Sequence, residues 1–269
     1  MKYFDISRFG KLLRLDLTRN KRTCLYYLLS MLAVFLFMQF TGYYIYFKSL
    51  SYSYTPVQIE SAHENMYMFF LMTEFLLALV FMSSSFTFLK DKDRRISYFL
   101  LPATLLEKFL SRILIYTLGM FLLSLLAYGT ADQIVVALFR VFHRDPVSVL
   151  PYAFHETWNF IPHTWNQIFD NGRFYSGGLV TVTSLVTYST MWLSLYLLAS
   201  LWFRKYAFIL MSLLVIALLI LSTILVFDNI ANYFDILRDS SLMSFLFFGL
   251  TCLFTGLSYW LFKRKGAVN

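Results

Sequence analysis

The chain has 269 residues and a formal net charge of +8, and only 14% of its residues are charged, against 59% hydrophobic. A soluble domain of this size carries about 25% charged residues, and the apolar residues here form uninterrupted runs of about 20, the length that crosses a bilayer as a helix. The composition therefore excludes an ordinary soluble protein. It predicts an all-α, polytopic membrane protein with a single domain, residues 1–269.

The amino-terminal segment, FDISRFGKLLRLDL at residues 4–17, predicts an amphipathic helix. Phe9, Leu12, Leu13 and Leu17 recur at helical spacing with basic residues around them. Such a helix can lie on the membrane surface, with its leucines in the acyl boundary and its cations near anionic lipid. Membrane lipid is therefore a predicted partner. The alternative is a plain charged flank to the first span.

Six transmembrane helices are predicted from the apolar runs that follow. Their approximate bounds are 25–46, 66–89, 110–129, 178–202, 207–227 and 243–262. The piece ADQIVVALFRVF, residues 131–142, is apolar but too short to cross. It is predicted to extend the third span or to form an interfacial helix within the long loop 130–177.

The basic residues predict the orientation of these spans, because cytoplasmic loops carry an excess of lysine and arginine. Five of the 23 lysines and arginines lie on the side opposite the termini, and 18 lie on the side of the termini. Those five are Lys48, Arg140, Arg144, Arg173 and Arg238. Both termini are therefore predicted to be cytoplasmic. The same distribution makes the positive charge a topology signal, so that no nucleic-acid partner is predicted.

Glu74 is an acidic residue near the middle of the second predicted span, within MFFLMTEFLLALVFM. A carboxyl group at that depth is costly and is expected to face the bundle interior or a wet cavity. Two interpretations stay open. Glu74 either contributes to a transport path or forms a structural hydrogen bond, with a partner expected among the serines and threonines of span 178–202.

Catalytic and metal-binding motifs are absent from the sequence. It contains no GxxxxGK[ST] phosphate loop, no HExxH pair and no GxSxG nucleophile motif. The two cysteines, Cys24 and Cys252, have no metal-ligand spacing. The sequence therefore predicts no catalytic residue, no metal site, no cofactor in this chain and no enzyme activity of its own.

The loop between the second and third predicted spans, residues 90–109, has the most specific pattern. It begins with KDKDRR, which is typical of a solvated turn, and continues with Pro102, which cannot extend a helix. Thr104 and Glu107 have the spacing of a capping box, which predicts a new helix from about Leu105. This capped segment either only starts the third span or forms a docking element for another protein.

The stretch SFTFLKDKDRRISYFLLPATLLEKFLSRIL resembles the second-to-third-span segment of permeases of type-2 ABC exporters. In the most similar branch, a charged turn is followed by LLPAS-LEKFLSR, and the match here covers residues 98–112. Thr104 stands where the family often has serine, and both can cap a helix. The basic amino terminus, six spans and cytoplasmic ends also agree with the family plan. The long loop 130–177 departs from its shortest form.

The resemblance implies a concrete function for the loop. In that family, the helix between spans two and three is a coupling helix that sits in a groove of a separate ATPase subunit. The corresponding residues here are Pro102, Ala103, Thr104, Leu105, Leu106, Glu107, Lys108 and Phe109. ATP would then bind the partner chain, and a second permease copy or a related permease would complete the path in a bacterial inner membrane.

Two other classes of function remain possible on the residues alone. A carrier without a motor would show inverted repeats or paired intramembrane charges, and the sequence shows neither. A non-transporting membrane scaffold or sensor subunit would share the topology and the docking helix.

Overall fold

The structure is a computed structural model, and it is almost entirely helical in the parts that it describes. Those parts are residues 4–50, 56–142, 148–155, 169–170, 173–174, 176–203, 206–226 and 240–267. The all-α prediction is confirmed for them, apart from one small β-pair. Most of loop 130–177 lies outside these residues, and so do Arg204 and Lys205 between the predicted fourth and fifth spans.

The helices follow the chain in the order that the apolar runs predict, with extra short helices between them. Their bounds are α1 Ile6–Arg19, α2 Lys21–Leu50, α3 Pro56–Ser84, α4 Lys92–Phe99, α5 Leu105–Leu114, α6 Met120–Val141, α7 at 150–155, α8 Ser176–Trp202, α9 Ala207–Val226 and α10 Ser240–Ala267. A 3-10 turn, Thr87–Lys90, precedes α4, and a π-turn, Ile115–Gly119, joins α5 to α6. Two short strands, β1 Phe169–Asp170 and β2 Arg173–Phe174, pair antiparallel.

Four helices in the described residues are long and apolar enough to cross a membrane. They are Lys21–Ile45, Glu64–Lys90, Leu105–Val141 and Ser244–Gly266, which correspond to predicted spans one, two, three and six. The protein is therefore a membrane protein by helix length and composition. The predicted fourth and fifth spans coincide with α8 and α9. The described apolar part of α9, Ala207–Leu218, is shorter than a span.

The third spanning segment is longer than the bilayer requires. Its 37 residues, Leu105–Val141, correspond to about 55 Å of helix at 1.5 Å per residue, against a hydrocarbon core of about 30 Å. Residues 131–142 lie at the end of α6. Of the two predictions for that piece, the extension of the third helix is therefore the correct one, because the helix continues without a break through Ala131.

The chain was predicted to form one domain, and its residue contacts form two compact units that alternate along the sequence. The first unit contains Met1–Leu12, Ala78–Tyr116 and His163–Asn269. The second unit contains Leu13–Leu77 and Thr117–Pro162.

In the second unit, α2 packs along α6 around an apolar core. Tyr43, Val135 and Val149 are fully buried there. Asp132 is also fully buried, and its carboxylate accepts hydrogen bonds from the Tyr43 hydroxyl at 3.2 Å, the Val149 amide at 3.4 Å and the Ser148 hydroxyl. These bonds fix the beginning of α7 against α6, because a buried carboxylate is stable only when it is hydrogen-bonded.

In the first unit, α8 packs along α10, and α5 contacts α10 through an aromatic cluster. The cluster comprises Phe86, Phe99, Phe109, Tyr259 and Phe262. The Phe86 and Phe109 rings stack with centroids 5.7 Å apart, and the Phe109 and Tyr259 rings meet edge to face at 5.4 Å. The loop between the second and third spans is therefore anchored to the last helix.

The amino-terminal helix is present, but its apolar stripe faces the protein. Asp5 begins α1 by accepting from the Ser7 amide at 2.8 Å. Leu12 is buried, and Phe9 and Leu13 are half-buried, whereas Leu17 is exposed. Tertiary contacts cover residues that were predicted to enter the acyl boundary, and the predicted membrane-surface placement stays a proposal.

Candidate functional site

The loop between the second and third spans contains two helices separated by a proline turn. The charged run KDKDRR was expected to be a turn, but Lys92 and the three residues after it form the first turn of α4. This helix starts there because the Asp91 side chain accepts from the Asp93 amide at 3.1 Å and so caps it. The chain leaves α4 after Phe99 and turns at Pro102.

The capping box at the start of α5 is confirmed. The Glu107 amide donates to Thr104 Oγ1 at 3.3 Å, and the Thr104 amide donates to Glu107 Oε2 at 2.8 Å. The helix begins at Leu105, as the spacing predicts. Two backbone N–H groups that a helix end leaves without partners are therefore satisfied within the segment.

Glu107 also connects this segment to the amino terminus. Its carboxylate accepts from Arg8 Nε at 2.9 Å, from Arg8 Nη2 at 2.5 Å and from the Asp5 amide at 2.9 Å. Glu107 is fully buried, and the side chain of Arg8 is 22% exposed. The hydrogen bond with Glu107 raises the pKa of the Arg8 guanidinium above its usual value. The paired geometry is the bidentate form that arginine and a carboxylate prefer.

Basic residues on the inner side of α5 bind aromatic rings and backbone oxygens. Lys108 Nζ donates to the Phe99 carbonyl at 2.8 Å, and the Tyr98 hydroxyl donates to the Lys108 carbonyl at 3.0 Å. The Arg112 guanidinium lies 4.3 Å from the centre of the Phe88 ring, within the range of a cation–π contact. The two helices α4 and α5 are therefore bonded to each other across the proline turn.

This arrangement divides the predicted coupling residues into two groups. Glu107, Lys108 and Phe109 are buried within the first unit. Pro102 and Leu106 are exposed, with 44% of Leu106 accessible. Ala103, Thr104 and Leu105 are half-buried. A partner could therefore reach the turn at Pro102 and Leu106, while Glu107, Lys108 and Phe109 hold the turn in place.

Glu74 lies in the second unit, and its neighbour differs from the expected one. The partner was expected in span 178–202, but Ser124 of α6 is the residue that interacts with the carboxyl group. Glu74 Oε2 is buried and has no hydrogen-bond partner among the described residues. The Ser124 hydroxyl donates to the Phe121 carbonyl at 2.8 Å.

Three buried polar residues in the second unit were missed by the sequence reasoning. Gln39 and Tyr128 line a cavity, and Asp132 binds Tyr43 as described above. A signal existed for two of them, because Gln39 lies inside the first predicted span and Asp132 lies in an otherwise apolar piece. Polar residues at membrane depth mark candidate functional positions.

Comparisons with known proteins add no assignment to this geometry. No protein-family model, curated protein or solved structure matches the chain. Within the described ranges, no three His, Cys, Asp or Glu residues come together in a way that could hold a metal ion. The segment at 91–112, with the sequence motif that it contains, is therefore the feature of the described residues that bears most directly on function.

Proposed function

We propose that this protein is the membrane subunit of a bacterial ABC-type exporter, driven by a separate ATPase subunit. The observation that carries the proposal is the capped turn before the third span, residues 98–112, with its LLPATLLEKFLSR motif. The proposal includes six spans, cytoplasmic termini, a surface-lying amino terminus and a second permease copy or a related permease beside this one. ATP binds the partner chain.

The contacts of the turn support a role in transmitting movement. A coupling element must offer a surface to its partner and must also be fixed to the helices that it moves. Leu106 supplies exposed apolar surface, whereas Glu107, Lys108 and Phe109 are buried. Glu107 and Lys108 are held by hydrogen bonds, and Phe109 is held by ring contacts. Glu107 holds the first turn of α5 to Arg8 and Asp5. A push on Leu106 would therefore reach the amino terminus and the third span together.

The aromatic cluster extends the same support to the last helix. Phe109 is 3% exposed and contacts the Phe262 ring of α10 with centroids 5.6 Å apart. Closely packed interiors transmit displacement because they have little free volume. ATP-driven closure of the partner subunits would thus move α5 and α10 as one body and change the exposure of the transport path.

The test is to purify the tagged protein from its native host in mild detergent and to identify the chains that remain bound. We expect a stoichiometric partner with a GxxxxGK[ST] loop and ATP hydrolysis in the purified sample. Leu106→Asp should remove that partner, because it places a carboxylate on the exposed apolar surface of the turn. Phe109 is unsuitable for this purpose, since a charge at its buried position would disrupt the fold.

The matched control is Phe142→Asp, which makes the same change at an apolar residue that is 70% exposed and lies on the predicted external side. This variant should keep the partner. Full retention of the ATPase by Leu106→Asp would contradict docking at the turn. A stable wild-type protein that binds no ATPase would contradict the exporter proposal and favour the carrier or scaffold alternative.

A further inference from the structure

A cavity of about 270 Å³ lies among α2, α3 and α6 in the second unit. Its inner wall is a cluster of three buried rings, Phe35, Phe70 and Tyr128, with centroids 4.2 to 5.8 Å apart. Phe37 and Phe69 also line the cavity, and they are 73% and 60% exposed. Exposed apolar residues on spanning helices face lipid, so the cavity is open to the hydrocarbon of the bilayer.

The cavity extends through about half of the bilayer thickness. Ile45 and Met66 line one end of it. Ile45 is the last residue of the span Lys21–Ile45, and Met66 is the third residue of the span Glu64–Lys90, so both lie at the same edge of the membrane. Phe35 is ten residues before Ile45, which is about 15 Å along α2. Because the hydrocarbon core is about 30 Å thick, this is the depth of the acyl chains of one leaflet.

The polar groups among the described lining residues are closed to an occupant. Gln39 and Tyr128 share a side-chain hydrogen bond, and neither Gln39 Oε1 nor the Tyr128 hydroxyl has accessible surface. The Thr41 hydroxyl donates to the Phe37 carbonyl at 2.8 Å within the same helix. A polar or charged group in the cavity would therefore lose its hydration without compensation. The lining selects a plain hydrocarbon chain.

We propose that the cavity holds one acyl chain of a membrane phospholipid, with the terminal methyl toward Phe35 and the ester toward Ile45 and Met66. An apolar cavity of about 150 Å³ holds the six carbons of benzene, so this cavity has room for roughly eleven carbons of a chain. Walls from three helices contact the chain on more sides than an open helix surface does, so it should exchange more slowly than other lipid. The proposal is independent of the exporter function, because it requires neither an ATPase partner nor transport.

The first test asks whether a lipid stays bound when bulk lipid is removed. The full chain is placed in nanodiscs of 1-palmitoyl-2-oleoylphosphatidylcholine with an equal amount of oleic acid. It is then released into mild detergent, washed and weighed intact by native mass spectrometry. We expect one phosphatidylcholine on each chain. A protein that carries no lipid, or oleic acid in place of phosphatidylcholine, would overturn the proposal.

Variants test whether that lipid lies in the cavity. Gly42→Leu fills the cavity from α2 and should lose the lipid; the nearest atoms to its added Cβ belong to the flexible Met66 side chain, at 3.1 Å. Gly249→Leu on α10 is its control, because a Cβ there meets no described atom within 4 Å. Ile45→Trp narrows one end of the cavity at a residue that is 59% exposed, and it serves if Gly42→Leu does not fold. Its control is Ile209→Trp on α9, where the isoleucine is 55% exposed.

Both controls should keep the lipid that the wild type keeps. Retention of the lipid by the folded cavity variants would overturn the proposal. Equal loss from a cavity variant and its control would do so as well, because the lipid would then be bound elsewhere on the helices.

The orientation of the chain is tested with phosphatidylcholine that carries a diazirine either next to the ester or next to the terminal methyl of one acyl chain. After irradiation in nanodiscs, mass spectrometry locates the label within the cavity. The probe next to the ester should label Ile45 and Met66, and the probe next to the methyl should label Phe35. The same labelled residues with both probes, or the reverse order, would overturn the proposed placement.

Discussion

Phe109→Ala tests whether the turn before the third span is fixed by the aromatic cluster. Phe109 is 3% exposed, and its ring packs on Phe86, Tyr259 and Phe262 at centroid distances of 5.7, 5.4 and 5.6 Å. The variant would leave a cavity bounded by those three rings, each of which would lose its contact with Phe109.

The expected cost follows from this packing. Buried Phe→Ala changes destabilise proteins by about 3–5 kcal/mol, from lost transfer free energy and the cavity left behind. For a domain of about 150–250 residues, 1 kcal/mol lowers Tm by about 2–4 °C. Phe109→Ala should therefore lower Tm by about 6–20 °C. Leu106→Ala is the control on the same helix, and because Leu106 is 44% exposed, its Tm should change by no more than about 2 °C.

The assay is a thermal unfolding scan of both variants and the wild type in one detergent and at one scan rate, since membrane proteins often unfold irreversibly and Tm then depends on rate. If the Tm of Phe109→Ala lies within about 2 °C of the wild-type Tm, the limit set for the exposed control, the anchoring of α5 through this cluster is refuted. Equal losses for Phe109→Ala and Leu106→Ala would refute the division into an anchored and an exposed side.

Three further changes test other parts of the chain by the same scan. Thr104→Ala should cost about 1 kcal/mol by removing the helix cap, while Thr104→Ser should keep the wild-type Tm; equal Tm values would contradict the capping box. Gly266→Ala places a Cβ 2.6 Å from the Phe99 ring and should cost about 1–3 kcal/mol by overpacking. Gly256→Ala on the same helix meets no described atom within 4 Å and should not lower Tm. Glu74→Leu should increase the free energy of unfolding by about 1–3 kcal/mol and so raise Tm, because it removes a buried oxygen without a hydrogen-bond partner. A lower Tm would show that the Glu74 carboxyl group is hydrogen-bonded.

The local features of the turn could be predicted because they depend on neighbours in sequence. Thr104 and Glu107 are three residues apart, and a capping box needs only that spacing and a helix to begin. Arg8, by contrast, is 99 residues from Glu107. Many basic residues could have paired with that carboxylate, and no periodicity selects one of them.

Burial shows the same division between local and tertiary information. Leu106 and Phe109 are both apolar and both follow the cap, so the sequence offered them equally as docking residues. The fold buries Phe109 against α10 and leaves Leu106 exposed. The expected partner of Glu74 was wrong for a similar reason, since composition identified hydroxyl-rich α8 and the packing of α3 supplied Ser124 of α6.

The sequence by itself determined that this is a helical membrane protein and where its α5 helix begins, because apolar run length and cap spacing are local quantities. Only the tertiary structure decided which side of that helix is free, how the amino terminus is tied to it, and where Gln39 and Tyr128 meet a cavity. Those features require contacts between residues far apart in the chain, and such contacts are set by how whole helices pack.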